Sequence, residues 1–256
     1  MPPLLQLDRV GIRFGGLKAV DGLTLSVDRG ELVGLIGPNG AGKTTVFNLL
    51  TGVYTPTEGT ITFAGERIDG LKPHVLARRG IARTFQNIRL FGHLTVLDNV
   101  RVAYQVNTRH TVLDSILRLP RYFAEEGRMA EESLALLERL GLAAHQDELA
   151  RNLPYGLQRR LEIARALALK PRLLLLDEPA AGMNPQESRE LMELIAGVRR
   201  DFGLTVLLIE HDMTVVMGIC ERIYVLDHGV LIAEGTPEEI RRNPRVIEAY
   251  LGEEAS

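Results

Sequence analysis

The chain contains no tryptophan, one cysteine and only 5% aromatic residues among its 256. Cys220 cannot close an internal disulfide on its own, which excludes a disulfide scaffold and fits a reducing compartment. Positive charge is not in surplus. Lys and Arg number 30 against 33 Asp and Glu, a net charge of −3, so no global basic field draws the chain to nucleic acid. Long apolar runs are missing as well. Leu173–Leu176 stops at Asp177 and Val206–Ile209 stops at Glu210, far short of the ~20 residues that a spanning helix needs. The opening MPPLLQLDRV has neither a cationic start nor the apolar stretch of about 7–15 residues found in a signal peptide. The expectation is a cytoplasmic protein that reaches a membrane only through a partner. What remains is 45% hydrophobic and 25% charged residues, the balance of a globular chain with a substantial core.

Patterning along the chain falls into three stretches. The first 65 residues read as β-rich: Leu5–Phe14 and Leu23–Val27 alternate apolar with polar residues, and Glu31–Ile36 is a short apolar run covered on both faces. A helix is expected over Lys43–Leu50, and strands over Thr60–Phe63 and Ile81–Phe85. From Leu94 to Leu169 the apolar spacing is helical. Beyond it, Leu173–Asp177, Thr205–Glu210, Ile223–Asp227 and Val230–Ala233 read as strands, with helices over Pro185–Phe202 and Met213–Cys220. Thr236-Pro237-Glu238-Glu239 is a capping box that opens a last helix. Strand–helix alternation on both sides of a helical block implies an α/β core with an inserted helical lobe.

The sharpest chemical signal is Gly37-Pro38-Asn39-Gly40-Ala41-Gly42-Lys43-Thr44, followed by Thr45. Two glycines flank four residues and then comes Lys-Thr, the phosphate-binding loop pattern, after a buried strand and before a helix. Glycine lets the backbone N–H groups turn inward around phosphates, and the helix N-terminus adds positive potential. Lys43 is expected on the β- and γ-phosphate oxygens, and the Thr44 hydroxyl on Mg²⁺. The run Leu173–Leu176 then sets Asp177 at the carboxyl end of a buried strand, where α/β sheets bind ligands. Asp177 suits the Mg²⁺ through water. Glu178 suits the role of general base on an attacking water, worth about 10²–10⁴ in rate.

Leu153-Pro154-Tyr155-Gly156-Leu157 opens a helix about twenty residues before Asp177. Here the chain resembles the ATP-binding subunits of ABC transporters, whose signature reads LSGGQ. Gln86 stands at the Q-loop glutamine, His211 at the switch histidine, Ala180–Asn184 at the D-loop, and Phe14 where an aromatic ring stacks on adenine. GLKAVDGLTL, RTFQNIRLF, RRLEIARALA, LDEPAAGMNP, LIEHDM and the ending EAYLGE are similar to the branched-chain amino-acid importer subgroup, and most to the larger of its two ATP-binding subunits. The long stretch Arg101–Arg128 fits that larger partner. Pro154 replaces the signature Ser and has neither hydroxyl nor backbone N–H; Leu157 replaces Gln, and Asn184 the usual Asp.

The resemblance implies a single ABC nucleotide-binding domain over residues 1–256. Its P-loop NTPase, RecA-like core would cover 1–86 and 171–256 with an antiparallel β part, and its helical subdomain 87–170. It implies ATP hydrolysis by a dimer, of two copies or with a second ATP-binding subunit, with ATP and Mg²⁺ bound. Phe14, Gly37–Thr45, Gln86 and Asp177 would bind nucleotide in one subunit and Gly156 of the other would cap it. Thr44, Gln86 and Asp177 would hold Mg²⁺, Asp177 through water. Lys43, Glu178 and His211 would carry the chemistry. Permease subunits in the membrane, and indirectly a periplasmic binding protein, are the implied partners at the cytoplasmic face of the inner membrane. Two alternatives are export of a lipid-linked or lipopolysaccharide substrate, and a soluble ABC ATPase acting on nucleic acid or ribosomes. After Gln86 come the apolar Ile88, Leu90, Phe91 and Leu94; a place in the core is one reading for each, and the expectation is that some of them line a groove for a short cytoplasmic helix of the permease.

Overall fold

The computed structural model describes residues 2–107, 120–211 and 213–254. The chain divides into two compact units, one of residues 1–83 with 172–256 and one of residues 84–171. Part of Arg101–Arg128 and Asp212 of the LIEHDM segment lie outside the described residues.

The first unit holds two sheets. Strands β1 (Leu5–Phe14), β2 (Leu17–Val27), β4 (Glu58–Phe63) and β5 (Glu66–Arg67) form an antiparallel sheet in the order β2-β1-β4-β5. The second sheet has the order β10-β9-β3-β8-β7-β6. Its strands are β3 (Leu32–Ile36), β6 (Ile81–Arg83), β7 (Leu173–Asp177), β8 (Thr205–Ile209), β9 (Arg222–Asp227) and β10 (Val230–Gly235). All neighbours in it are parallel except β9 and β10, which form a hairpin. LVGLI, LLLLD and TVLLI are buried at every position, as strands covered on both faces are. Gly34 interrupts β3 because the helix Met213–Ile219 crosses it closely: a Cβ there would lie 3.1 Å from both Val216 Cγ1 and Cys220 Sγ.

Helix α1 (Lys43–Leu50) follows β3 and buries Val46, Phe47, Leu49 and Leu50. These join Val33 and Leu35, Leu173 and Leu175, Leu207 and Ile209, and Leu5 and Leu7 in one apolar cluster. Each such side chain contributes about 1.5–3 kcal/mol on burial. The core therefore anchors both the start of α1 and the carboxyl ends of β3, β7 and β8, where the loops that follow carry polar residues.

Among its described residues the second unit holds the helices Val96–Tyr104, Pro120–Arg139 and Tyr155–Ala168. Thr95 caps the first of them by accepting from Asp98 N–H. Several boundaries differ from expectation. Strand β2 begins at Leu17 rather than Leu23, and β6 ends at Arg83 rather than Phe85. A short helix, Pro73–Arg78, occurs where the sequence pattern carried no marked signal.

Candidate functional site

The phosphate loop follows β3 directly, and its glycines answer to specific neighbours. Gly37 has φ +151°, and a Cβ there would lie 2.0 Å from the Leu226 carbonyl oxygen. Gly42, at φ +101°, would set a Cβ 2.6 Å from the Ala19 oxygen. No L side chain fits either position. Gly42 is also the N-cap of α1 and gives it no side-chain hydrogen bond. The N–H groups of the first turn are thus left to the loop and to whatever enters it. Gly229 N–H donates to the Ala41 oxygen at 3.0 Å, and Asp21 N–H to the Gly229 oxygen at 2.8 Å. The turn of the β9–β10 hairpin thereby braces the loop, a contact that no motif announces.

A cavity of about 400 Å³ opens on this loop. Asn39, Gly40, Ala41, Gly42, Lys43, Thr44 and Thr45 line it together with Phe14, Lys18, Glu178 and His228. Lys43 is buried, and its ammonium donates to the carbonyl oxygens of Gly37 at 2.6 Å and Pro38 at 2.8 Å. Phe14 is 43% exposed and meets the Tyr54 ring edge-on, 5.0 Å between centroids. A partly exposed aromatic ring lining the cavity is suited to stack on a base.

Asp177 and Glu178 diverge at the end of β7. Asp177 is buried and accepts from Arg83 Nη2 at 2.7 Å. Glu178 has φ +44°, a left-handed conformation that is costly for a side-chain-bearing residue and recurs at active sites. Its N–H is held by the Ile209 oxygen at 2.9 Å. The turn brings a Glu178 oxygen to 3.6 Å from His211 Nδ1, while the His211 ring stays 61% exposed. So β7 and β8, adjacent in the sheet, bring together two residues 33 positions apart in the chain.

Glu210 escaped sequence reasoning. It is buried at the end of β8 and accepts from Ala180 N–H at 2.9 Å and His211 N–H at 3.2 Å. Burial pushes its carboxyl above the ordinary range, and the two N–H donors oppose that only in part. It fastens the 179–184 loop to the residue before His211. In that loop Asn184 N-caps the helix Pro185–Phe202, accepting from Gln186 and Glu187 N–H in a capping box. Asparagine performs this cap as well as aspartate does, which gives the departure at position 184 a local reason.

Gln86 and Gly156 belong to the second unit. The helix Tyr155–Ala168 has Pro154 as its N-cap residue, without a side-chain cap, and Gly156 has open space where a Cβ would be. Arg159, fully buried, donates to the Phe85 oxygen at 2.7 Å, the Gln86 oxygen at 2.8 Å and Glu162 at 2.7 Å. Glu162 in turn accepts from Phe85 and Arg89 N–H. The helix that follows the signature thus holds the backbone around Gln86. A buried guanidinium and carboxylate repay their desolvation only through such a set of bonds. Arg159 and Glu162 drew no notice in the sequence because their partners are backbone atoms about 75 residues away. Phe91 is 47% exposed under the Arg165 guanidinium, 4.6 Å from its ring, whereas Ile88, Leu90 and Leu94 are half-buried.

Comparison with known proteins identifies the family. The ABC transporter family model matches residues 20–181, and the model of the branched-chain amino acid ATP-binding cassette transporter C-terminal segment matches 230–256. The high-affinity branched-chain amino acid transport ATP-binding protein LivG of Salmonella typhimurium is 51% identical over 251 residues, 98% of each chain. BraF of Pseudomonas aeruginosa, described in the same words, is 49% identical over the same length and shares. Among solved structures, an ATP-binding cassette of an ABC transporter in its ADP conformation superposes with a TM-score of 0.86 at 32% identity, covering 98% of this chain and 100% of that one. Among the described residues no helix is long and apolar enough to cross a membrane. With its phosphate loop, its two-sheet core and these relatives, the chain belongs to the ABC transporter family as an ATP-binding cassette.

Proposed function

We propose that the chain is the ATP-hydrolysing subunit that energises import of branched-chain or related amino acids by a membrane transporter. The amino-acid class follows the relatives, and one observation carries the ATP hydrolysis: a single cavity gathers Phe14, Lys43, Thr44 and Glu178. The adenine would stack on Phe14. The phosphates would lie on the N–H groups of Gly40–Thr45, and Lys43 would exchange the Gly37 and Pro38 oxygens for phosphate oxygens. Glu178 takes a proton from the water that attacks the γ-phosphorus, and His211, beside it, holds the γ-phosphate. The leaving diphosphate keeps its contact with Lys43, which offsets the charge that develops.

The Thr44 hydroxyl and the Asp177 carboxylate are hard oxygen donors of the kind Mg²⁺ takes while keeping waters and phosphate ligands. Thr44 and, through water, Asp177 would hold it. When bound, the cation supplies positive charge against the phosphate oxygens. A second nucleotide-binding chain, another copy or a related subunit, would cap the site with the segment around Gly156. A permease helix would meet the face that carries the exposed Phe91, at the cytoplasmic side of the inner membrane, with a periplasmic binding protein delivering solute.

The test is uptake of labelled leucine by cells in which this chain is the sole ATP-binding subunit of its kind. Uptake that depends on the wild-type chain and vanishes with Lys43→Ala is the expected result. Uptake unchanged by Lys43→Ala, or a defect confined to lipid export, would overturn the assignment.

A further inference from the structure

The buried pair Arg83–Asp177 lies where three elements meet. Strand β6 runs parallel to β7 with Arg83 against Leu175, so the Arg83 side chain must span two residues of β7 to reach Asp177. It does so while holding α1. Nη2 donates to Asp177 Oδ2 at 2.7 Å, and Nη1 donates to Asn48 Oδ1 at 2.8 Å and Thr51 Oγ1 at 3.3 Å. The guanidinium carbon stands 5.5 Å from the centre of the Phe47 ring. Asn48 and Phe47 are in α1, and Thr51 is its C-cap. One planar group therefore ties the helix that begins with Lys43 and Thr44 to the carboxylate that ends β7.

The expense of this arrangement argues for a purpose beyond packing. Both side chains are only 7% exposed. Apolar residues of similar size fill such a space at no electrostatic cost, and buried pairs are weak sources of stability. What the guanidinium gives instead is direction. Its fork holds two partners at fixed angles, which a lysine ammonium does not do. Asp177 Oδ2 is committed to Arg83.

We infer that Arg83 is a positioning residue for the divalent cation of the ATP site: it sets the Asp177 carboxylate, and through Asn48 the helix bearing Thr44, in one mutual arrangement. The inference rests on the reading of Asp177 as the carboxylate that faces Mg²⁺. Groups that orient a metal's ligands this way change metal affinity by about 10–100-fold when removed.

The experiment measures Mn²⁺ binding to the protein saturated with a non-hydrolysable ATP analogue, by electron paramagnetic resonance, and analogue binding in EDTA separately. Wild type, Arg83→Gln, Arg83→Lys, Asp177→Asn and the Arg83→Gln/Asp177→Asn double variant are compared. Arg83→Gln is expected to weaken Mn²⁺ about tenfold or more with analogue affinity in EDTA within about twofold, and Arg83→Lys to fall between it and wild type. Arg83→Gln should cost less Mn²⁺ affinity in the Asp177→Asn background than in wild type, because part of its action passes through that carboxylate. Equal losses from Arg83→Gln in both backgrounds, unchanged Mn²⁺ affinity, or a parallel fall in EDTA would overturn the proposal. Should Arg83→Gln fail to fold, Arg83→Lys in both backgrounds decides in the same way. If Asp177→Asn itself leaves Mn²⁺ binding unchanged, the reading of Asp177 fails first.

Discussion

Gly229 lies outside every nucleotide-binding motif, yet replacing it with alanine should damage the nucleotide site. It has φ +79°, and a Cβ there would meet the Ala19 oxygen at 2.8 Å and the Ala19 carbon at 3.1 Å. Those are backbone atoms of β2, so they cannot swing aside as a side chain end would. Left-handed backbone costs an L residue roughly 1–2 kcal/mol, and the overlap forces the hairpin turn away from β2. The bond from Gly229 N–H to the Ala41 oxygen, 3.0 Å long, is then lengthened or lost. A hydrogen bond of this kind contributes about 0.5–1.5 kcal/mol, so ATP affinity should fall about two- to tenfold. Gly203→Ala is the control. Gly203 also has positive φ, +60°, at the end of the helix Pro185–Phe202, but nothing lies within 4 Å of its added Cβ. It should lose stability through backbone strain alone and bind ATP as the wild type does. Fluorescence titration with an ATP analogue, alongside thermal melts, reads both quantities. If the two variants lose equal stability and neither loses affinity, the bracing of the loop by the hairpin is refuted.

Three further outcomes follow from particular side chains. Burial raises the Glu210 carboxyl above its ordinary value of 4.5, so the folded chain holds that proton more tightly than the unfolded one. The stability from this group is therefore full below pH 4.5 and is lost as pH rises through the raised value. Glu210→Gln, which keeps an acceptor for Ala180 N–H, should gain in melting temperature relative to wild type as pH rises from 4.5, and a gap independent of pH would contradict the desolvation account. Cys220 is buried, with its thiol pushed up to about 12, so at pH 8 roughly one molecule in 10⁴ carries the thiolate. Maleimide labelling should wait on unfolding by denaturant; rapid labelling of the native chain would show the thiol open. Phe91→Asp should abolish co-purification with the permease subunits while ATP binding persists, and a complex that survives it would move the docking surface elsewhere.

The parts legible in the sequence are those whose cause is local. LLLLD and TVLLI read as strands because burial on both faces removes the need for polar residues, and the phosphate loop reads from its spacing because its glycines are sterically obligatory. Lys43–Leu50, Pro185–Phe202 and the Thr236 capping box appear where the pattern puts them. Strand β2 shows only its second half in the sequence pattern because Asp21 and Gly22 interrupt the alternation, although pairing with β1 carries the strand back to Leu17. Pro73–Arg78, six residues with only Leu76 buried, has too few turns to leave a periodic mark. Arg83, Glu210 and Gly229 were invisible for a different reason. Their partners, Asp177, Ala180 and Ala41, come near only through the sheet order β9-β3-β8-β7-β6, which no local pattern encodes. Nor does the sequence disclose that Glu178 sits at positive φ, since glutamate is rarely chosen for that conformation.

In the reading proposed above, this cavity hydrolyses ATP with Glu178 as the base that accepts the proton of the attacking water. The most direct measurement is a single turnover of radiolabelled ATP by the chain assembled with its transporter, comparing wild type with Glu178→Gln. Glutamine has the same shape and cannot take the proton. Glu178→Gln should bind ATP with wild-type affinity and cleave it at least about 10²-fold more slowly, the scale of a general base. Cleavage by Glu178→Gln at the wild-type rate would contradict it.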